Sequence, residues 1–247
     1  MDKSSIQKYN DVILELLFPS FCFGCNKEGT YLCQDCKATL EISEYNYCLC
    51  NKNPIRLAPD HHSNGKCQRC QDHKLSGLYS ALPYKEKSLT RKLIHNFKYE
   101  PYVKDLAETC AGIVVEHLVL AKNNTEAIWE NSVLVPVPLG KSKLKSRDYN
   151  QAGALADELS QVLKVPVARD ELVKIRETAE QMKLSAKARQ ENLLNAFAIK
   201  NPAQIAGKKV FLVDDVYTTG STMAECARIL KEAKSTQVWG IVIAREG

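Results

Sequence analysis

Val210 to Thr222 read VFLVDDVYTTGST: four apolar residues run into two adjacent carboxylates, and these into a hydroxyl-rich turn pivoted on Gly220. An unbroken apolar run of this length suits a strand covered on both faces, as in a parallel sheet. Ligands of such sheets bind beyond the carboxyl ends of the strands, and Asp214, Asp215 and the TTGST turn fall there. A helix is expected next, because Met223, Cys226, Ala227 and Leu230 recur at helical spacing; its N-terminus would aim free N–H groups at the turn. That arrangement suits a phosphate. Gly220 permits the close backbone approach, and Thr218, Thr219, Ser221 and Thr222 add hydroxyl donors. The acids suit sugar hydroxyls or a bound Mg2+.

Outward from this stretch, short β-rich runs alternate with amphipathic helices from about Gly77 onward, which predicts an α/β domain over 76–247 with a mainly parallel sheet. Strands are expected at Val133–Val137, Lys209–Val213 and Gln237–Ala244. A helix over roughly 103–122 would bury Leu106, Cys110, Ile113, Val114, His117 and Leu118, and a second would bury Ala152, Leu155, Ala156, Leu159, Val162 and Leu163. Cys110 and Cys226 read as small core residues, and His117 as a packed or partly exposed helix residue rather than a ligand.

Residues 1–75 have another character. Eight of the ten cysteines lie between Cys22 and Cys70. Cys22, Cys25, Cys33 and Cys36 form two C-x2-C pairs; Cys48 and Cys50 stand in CLC, and Cys67 and Cys70 in CQRC. Two such pairs complete the tetrahedron that Zn2+ prefers, and four thiolates close the sphere, so the metal's job is structural. One or two zinc ions are expected, with CLC the tighter knuckle, and the spacing leaves open whether the pairs join in order or cross over. His61, His62 and His73 read as solvated. A segment of this size with few apolar anchors needs such staples.

Composition excludes several classes. With 45% hydrophobic and 26% charged residues the chain has the balance of an ordinary globular protein. No segment approaches the roughly 18 apolar residues that span a bilayer. The N-terminus begins with an acid and lacks both an unbroken apolar stretch and a small-residue cleavage site, so a secretory signal is not expected and the cytoplasm is. There, clustered cysteines bind metal more often than they form disulfides. The net charge is +5. Lys/Arg and Asp/Glu balance in residues 1–75, so the excess lies in 76–247, where anions would bind.

VFLVDDVYTTGST resembles the phosphoribosyl-diphosphate motif of type I phosphoribosyltransferases, and nearly the whole chain is similar to the ComF family of bacterial competence proteins. Cys22 to Cys70 match its double zinc ribbon, with CLC in place of the usual C-x2-C. LPYKEKSLTRKLIHNFKY is similar to its tyrosine-to-lysine linker, VLVPVPLGKSKLKSRDYNQA to its proline-rich strand and R-x-x-N-Q turn, and ETAEQMKLSAKARQENLLNAF to its T-x-x-Q-x-x-L element. The fold so implied is a type I phosphoribosyltransferase-like, mainly parallel sheet flanked by helices, preceded by a small zinc-ribbon domain over 1–75.

The resemblance implies that Asp214 and Asp215 hold the ribose hydroxyls of phosphoribosyl diphosphate with Mg2+, and that Thr218, Thr219, Gly220, Ser221 and Thr222 hold its 5′-phosphate. Arg147, Asn150, Gln151 and Arg189 are the further expected contacts, with Lys141, Lys143 and Lys145 either neutralising a diphosphate or lying on a solvated basic loop. Residues 176–192, including Arg176, Gln181 and Asn192, correspond to a flap over the site in related transferases. Thr218 stands where purine-salvage members carry an aspartate, which disfavours purine salvage. Two readings of function follow from these residues together with the resemblance, which favours a donor-binding transferase-fold domain serving DNA uptake. One is a transferase of unknown acceptor. The other is a protein of DNA uptake whose exposed Lys92, Lys98, Tyr99 and Tyr102 meet single-stranded DNA; a weaker variant makes the ribbons a docking module for an uptake helicase or channel protein.

Overall fold

The central sheet is parallel throughout, with Gly77–Pro83 (β1), Gln237–Arg245 (β6), Lys209–Tyr217 (β5) and Ser132–Pro136 (β2) side by side in that order. The computed structural model describes residues 19–58, 65–99, 103–123, 125–178 and 192–246. Along the chain these give α1 (Gln34–Lys37), β1 (Gly77–Pro83), α2 (Leu89–Lys98), α3 (Leu106–Leu120), α4 (Glu126–Trp129), β2 (Ser132–Pro136), α5 (Lys141–Arg147), α6 (Gln151–Leu163), β3 (Leu172–Lys174), β4 (Phe197–Ile199), β5 (Lys209–Tyr217), α7 (Ser221–Glu232) and β6 (Gln237–Arg245). β3 and β4 form a separate antiparallel pair.

The alternation of side chains along a strand divides the core in two. Phe211 and Val213 of β5, with Leu134, Trp239 and Ile241, face α2, α3 and α6. Val210 and Leu212, with Val133, Val135, Val238 and Val242, face α7. The run VFLV is therefore buried on both sides, as its lack of polar alternation requires. The first face includes a stack of rings, with Tyr79 5.1 Å from Trp239 and Trp129 4.6 Å from Phe211.

The expected helices form with tighter ends, and their predicted core faces are buried, except that in the last turn of α6 Val162 is 57% exposed and Leu163 half-buried. β5 runs four residues farther than the apolar run, through both acids to Tyr217, because β6 continues alongside it and pairs Tyr217 with Arg245. The segment read as a linker, residues 82–99, is the end of β1, a turn and α2. Ser88 caps α2 by accepting the Arg91 N–H, and Leu93, Ile94 and Phe97 bury its inner face. The basic stretch after β2 is a short exposed helix, not a loop.

The boundary expected at 75/76 falls just before β1, yet the cysteine-rich segment shares the sheet's core. Leu32 is buried in the first cluster, and Cys48, Leu49, Cys70 and Leu75 in the second. No helix among the described residues is long and apolar enough to cross a membrane.

Candidate functional site

The turn after β5 is built around the Tyr217 ring. Tyr217 is buried, and a Cβ on Gly220 would collide with its hydroxyl. Gly220 also has φ of +74°, in the left-handed region. Both facts demand glycine there. As the cap residue of α7, Gly220 offers no side-chain oxygen to the first turn. The Thr219 and Ser221 hydroxyls lie 2.9 Å apart, and the Ser221 N–H reaches Thr219 Oγ1 at 3.5 Å. Asp214, Val216 and the run from Tyr217 to Met223 line a small cleft at this end of the sheet. The five loop residues expected to meet a phosphate are thus gathered at one concave, donor-rich place.

Successive strand residues point to opposite faces, and the two acids are treated differently by their surroundings. Asp215 is buried against α2, where Lys98 Nζ meets its Oδ1 at 2.7 Å. Asp214 keeps part of its surface at the mouth of the cleft, and its Oδ1 accepts the Asp215 N–H at 2.9 Å. Its carboxyl is nonetheless densely surrounded: burial, then the charge of Asp215, push it up to about 8 against the opposing pull of Lys98. Burial works against the charge of Lys98, but Asp215 and then Asp214 outweigh it and hold Lys98 above its ordinary value. Lys98 is therefore not the exposed, backbone-tracking lysine expected from the sequence. It is the counter-charge of the acid pair, a role that nothing at i ± 4 announces. Lys92 and Tyr99 are exposed, and Tyr102 lies outside the described residues.

The R-x-x-N-Q turn brings its three residues together at the end of β2. Asn150 uses both ends of its amide on backbone: Oδ1 accepts the Ala152 N–H and caps α6, while Nδ2 donates to the Val137 carbonyl at 3.1 Å. Arg147 donates to Gln151 Oε1 at 3.1 Å and stands over the Tyr99 ring at 5.2 Å. Gln151 is buried and Arg147 half-buried, whereas Lys141, Lys143 and Lys145 are exposed on α5. Glu177 reaches this helix and accepts the Ser142 N–H at 3.3 Å. Arg176 donates to the carbonyls of Asn192 and Leu194, each at 2.9 Å, joining the two stems of the segment expected to be a flap. Gln181 and Arg189 lie outside the described residues.

The cysteines form two groups of four, joined in sequence order: Cys22, Cys25, Cys33 and Cys36, then Cys48, Cys50, Cys67 and Cys70. Within each group every sulfur lies within 4.8 Å of the others. Zinc with Zn–S of about 2.3 Å needs tetrahedral S–S edges of about 3.8 Å. Cys25–Cys33 and Cys50–Cys67 are 3.6 Å apart, and Cys67–Cys70 3.7 Å. Both groups fit, including the one containing CLC. Backbone N–H groups point at the sulfurs, Cys33 to Cys22 at 3.4 Å and Ile55 to Cys48 at 3.2 Å. Burial pushes the Cys22 thiol up, but N–H groups of Cys33, Cys25 and Gly24 outweigh it and bring it down to about 6. Cys110 and Cys226 are buried in the core, as expected.

The second group abuts the turn. Arg245 donates to the Cys48 carbonyl at 3.0 Å and the Cys50 carbonyl at 2.8 Å, and Asn51 Nδ2 donates to the Thr219 carbonyl at 2.8 Å. His73, expected to be solvated, is half-buried. Its Nδ1 accepts the Leu75 N–H at 3.1 Å, which leaves Nε2 to donate to the Tyr217 hydroxyl at 3.3 Å; Tyr217 in turn donates to the Leu49 carbonyl at 3.3 Å. Burial, then Lys66 and Lys231, push His73 down to about 4, so it serves as a neutral link. His61 and His62 lie outside the described residues. His117 packs as expected, buried with Nδ1 2.7 Å from the Ser43 carbonyl.

The phosphoribosyl transferase domain family matches residues 150–247. Among curated proteins the chain is similar to DNA utilization protein YhgH of Escherichia coli K12, 30% identical over 221 residues that cover 84% of this chain and 95% of that one. It is 39% identical over 114 residues to Competence protein F of Haemophilus influenzae, covering 45% of this chain and 50% of that protein. Competence protein ComFC of Streptococcus pneumoniae is 28% identical over 218 residues, covering 85% and 86%. Together with the parallel sheet and the paired cysteine groups, these similarities place the chain: it belongs to the ComF family and has a type I phosphoribosyltransferase fold.

Proposed function

We propose that this chain binds phosphoribosyl diphosphate with Mg2+ at the turn after β5 and serves DNA uptake by handling internalised single-stranded DNA in the cytoplasm. The observation that carries the ligand reading is the Gly220 turn: it stands beyond the carboxyl end of a parallel strand, is closed over a buried tyrosine, and shares its cleft with Asp214, behind which Asp215 pairs with Lys98. Thr218 to Thr222 take the 5′-phosphate through N–H and hydroxyl donors. Asp214, on the mouth of the cleft, accepts from a ribose hydroxyl; Asp215, neutralised by Lys98, completes the acid pair. Mg2+ supplies neutralisation of the diphosphate when bound. Arg147, steered by Gln151 and by the cap that Asn150 forms, faces the diphosphate, and Arg189 is retained as a further contact. The cysteine groups hold structural zinc.

The DNA reading draws on what the relatives are called, DNA utilization protein and competence protein, and on the exposed lysines of α5 with Lys92 and Tyr99. Cations follow the strand and a ring stacks on bases. An uptake helicase or channel protein remains the proposed macromolecular partner.

A second reading, transferase catalysis, is favoured by the acid pair standing at the turn. An acceptor nitrogen would attack C1 of the ribose, the C1–O bond would break, and pyrophosphate would leave with its electron pair.

Calorimetric titration separates these. Phosphoribosyl diphosphate is expected to bind only with Mg2+, and Asp214→Ala with Asp215→Ala to abolish binding while leaving salt-sensitive single-stranded DNA binding in place. Binding indifferent to Mg2+ and to both substitutions would overturn the ligand reading. Pyrophosphate release on adding candidate acceptors establishes the second reading, and its absence across nitrogenous bases removes it.

A further inference from the structure

We propose that the second cysteine group is the frame that positions the phosphate turn, with Asn51 and Tyr217 as positioning residues, so that metal held by Cys48, Cys50, Cys67 and Cys70 and an anion held at Thr218 to Thr222 stabilise each other. The inference rests on that turn being the anion site proposed above.

Three connections join the two places, and each begins inside or beside the metal knuckle. Asn51 follows Cys50 directly and fixes the Thr219 carbonyl at 2.8 Å, which orients the peptide between Thr219 and Gly220. The carbonyl of Leu49, between Cys48 and Cys50, receives the Tyr217 hydroxyl, and that hydroxyl is the atom a Cβ on Gly220 would strike. His73, three residues after Cys70, holds the same hydroxyl from the other side. Arg245, buried beside the Tyr217 ring at 5.8 Å, binds the carbonyls of Cys48 and Cys50 and so locks the end of β6 to the knuckle. A turn whose N–H groups must converge on a phosphate depends on peptide orientation; this group orients the Thr219–Gly220 peptide directly and fixes the Tyr217 ring on which Gly220 packs.

The first cysteine group supplies an internal contrast. Its connections run to the helices: Lys37 pairs with Glu116 of α3 at 2.7 Å, Lys92 of α2 donates to the Phe23 carbonyl at 3.4 Å, and Phe23, Tyr31 and Cys36 pack on the opposite core cluster. Sulfur spacing fits zinc in both groups, so the difference lies in what each holds in place.

Binding free energies are reciprocal: if metal at the second group strengthens anion binding, the anion strengthens metal binding by the same factor. The test uses the full zinc-loaded chain, ribose 5-phosphate as the probe, and zinc affinity measured at equilibrium against a competing chromogenic chelator. Asn51→Ala, with zinc content unchanged, is expected to bind ribose 5-phosphate about three- to tenfold more weakly, the range of one neutral hydrogen bond. Asn51→Asp, which keeps the shape and loses the donor, is expected to weaken it at least as much. Saturating ribose 5-phosphate is expected to raise the affinity for one zinc of the native protein, and the effect is expected to shrink in Asn51→Ala and to survive in Cys25→Ser, which disables only the first group. Should the native protein bind no ribose 5-phosphate, the anion site falls and this inference with it. If it binds, but zinc affinity is unchanged by the ligand or Asn51→Ala binds like the native chain, the inference alone is overturned.

Discussion

Asp214 is held at about 8 by burial and by Asp215, so at pH 7 the ligand-free carboxyl carries its proton. A ribose hydroxyl or Mg2+ needs the carboxylate, and binding must expel that proton. Affinity for the Mg2+ complex of phosphoribosyl diphosphate is therefore expected to rise roughly tenfold per pH unit up to about 8 and then level off. Titrations in buffers of different ionisation enthalpy at pH 7 are expected to show close to one proton released, and Asp214→Asn to show none from this site. Ionisation of the ligand phosphates adds equally to both proteins and drops out of the difference. A pH dependence identical in the two would mean that Asp214 is not at the ligand. At the level of single residues the acids and the hydroxyls around Gly220 could be picked out, because they are consecutive in the chain. Lys98 was misread as a surface lysine and His73 as solvated, because their partners, Asp215 and Tyr217, lie more than a hundred positions away.

The junction between β5 and α7 is where element geometry and ligand chemistry meet. Gly220→Ala places a side chain in the left-handed region, at a cost of about 1–2 kcal/mol, and drives its Cβ against the Tyr217 hydroxyl. A loss of about 2–4 kcal/mol in urea unfolding is expected, together with at least tenfold weaker ribose 5-phosphate binding. An alanine variant that binds normally would show that the turn's conformation is not what the ligand requires. Periodicity located the three long helices and the two long parallel strands of the C-terminal half to within a few residues. It stopped β5 at Val213, because acids do not look like strand, and only pairing with β6 carries the strand on to Tyr217. It also passed over α2, although Thr90, Leu93, Ile94 and Phe97 recur at helical spacing behind the Ser88 cap.

In the whole molecule the cysteine-rich segment and the sheet share their interior. Leu32 enters one face of the core, Cys48 and Leu49 the other, and the side-chain amides of Asn46 and Asn123 pair at 2.9 and 3.1 Å to tie the segment to the end of α3. Removing metal should therefore loosen the sheet domain as well. We expect two zinc ions per chain by metal analysis, and a fall in Tm on the order of 10 °C on chelation, at the 2–4 °C per kcal/mol typical of chains this long. One zinc, or a Tm that moves by less than about 2 °C, would argue that the groups neither both bind metal nor brace the core. The α/β class, the parallel sheet, the two sets of cysteines and the Gly-pivoted turn proposed to take a phosphate could all be read from the chain, because each is encoded in local spacing: an apolar run, a knuckle, a helical period, a glycine among hydroxyls. It took the folded chain to show that the cysteines join in order, that Lys98 pairs with Asp215, that Asn51 and His73 bind the second cysteine group to the turn, and that Arg245 ties β6 to that group. Those are contacts between distant parts of the chain, and their partners are chosen by packing, which leaves no mark on spacing.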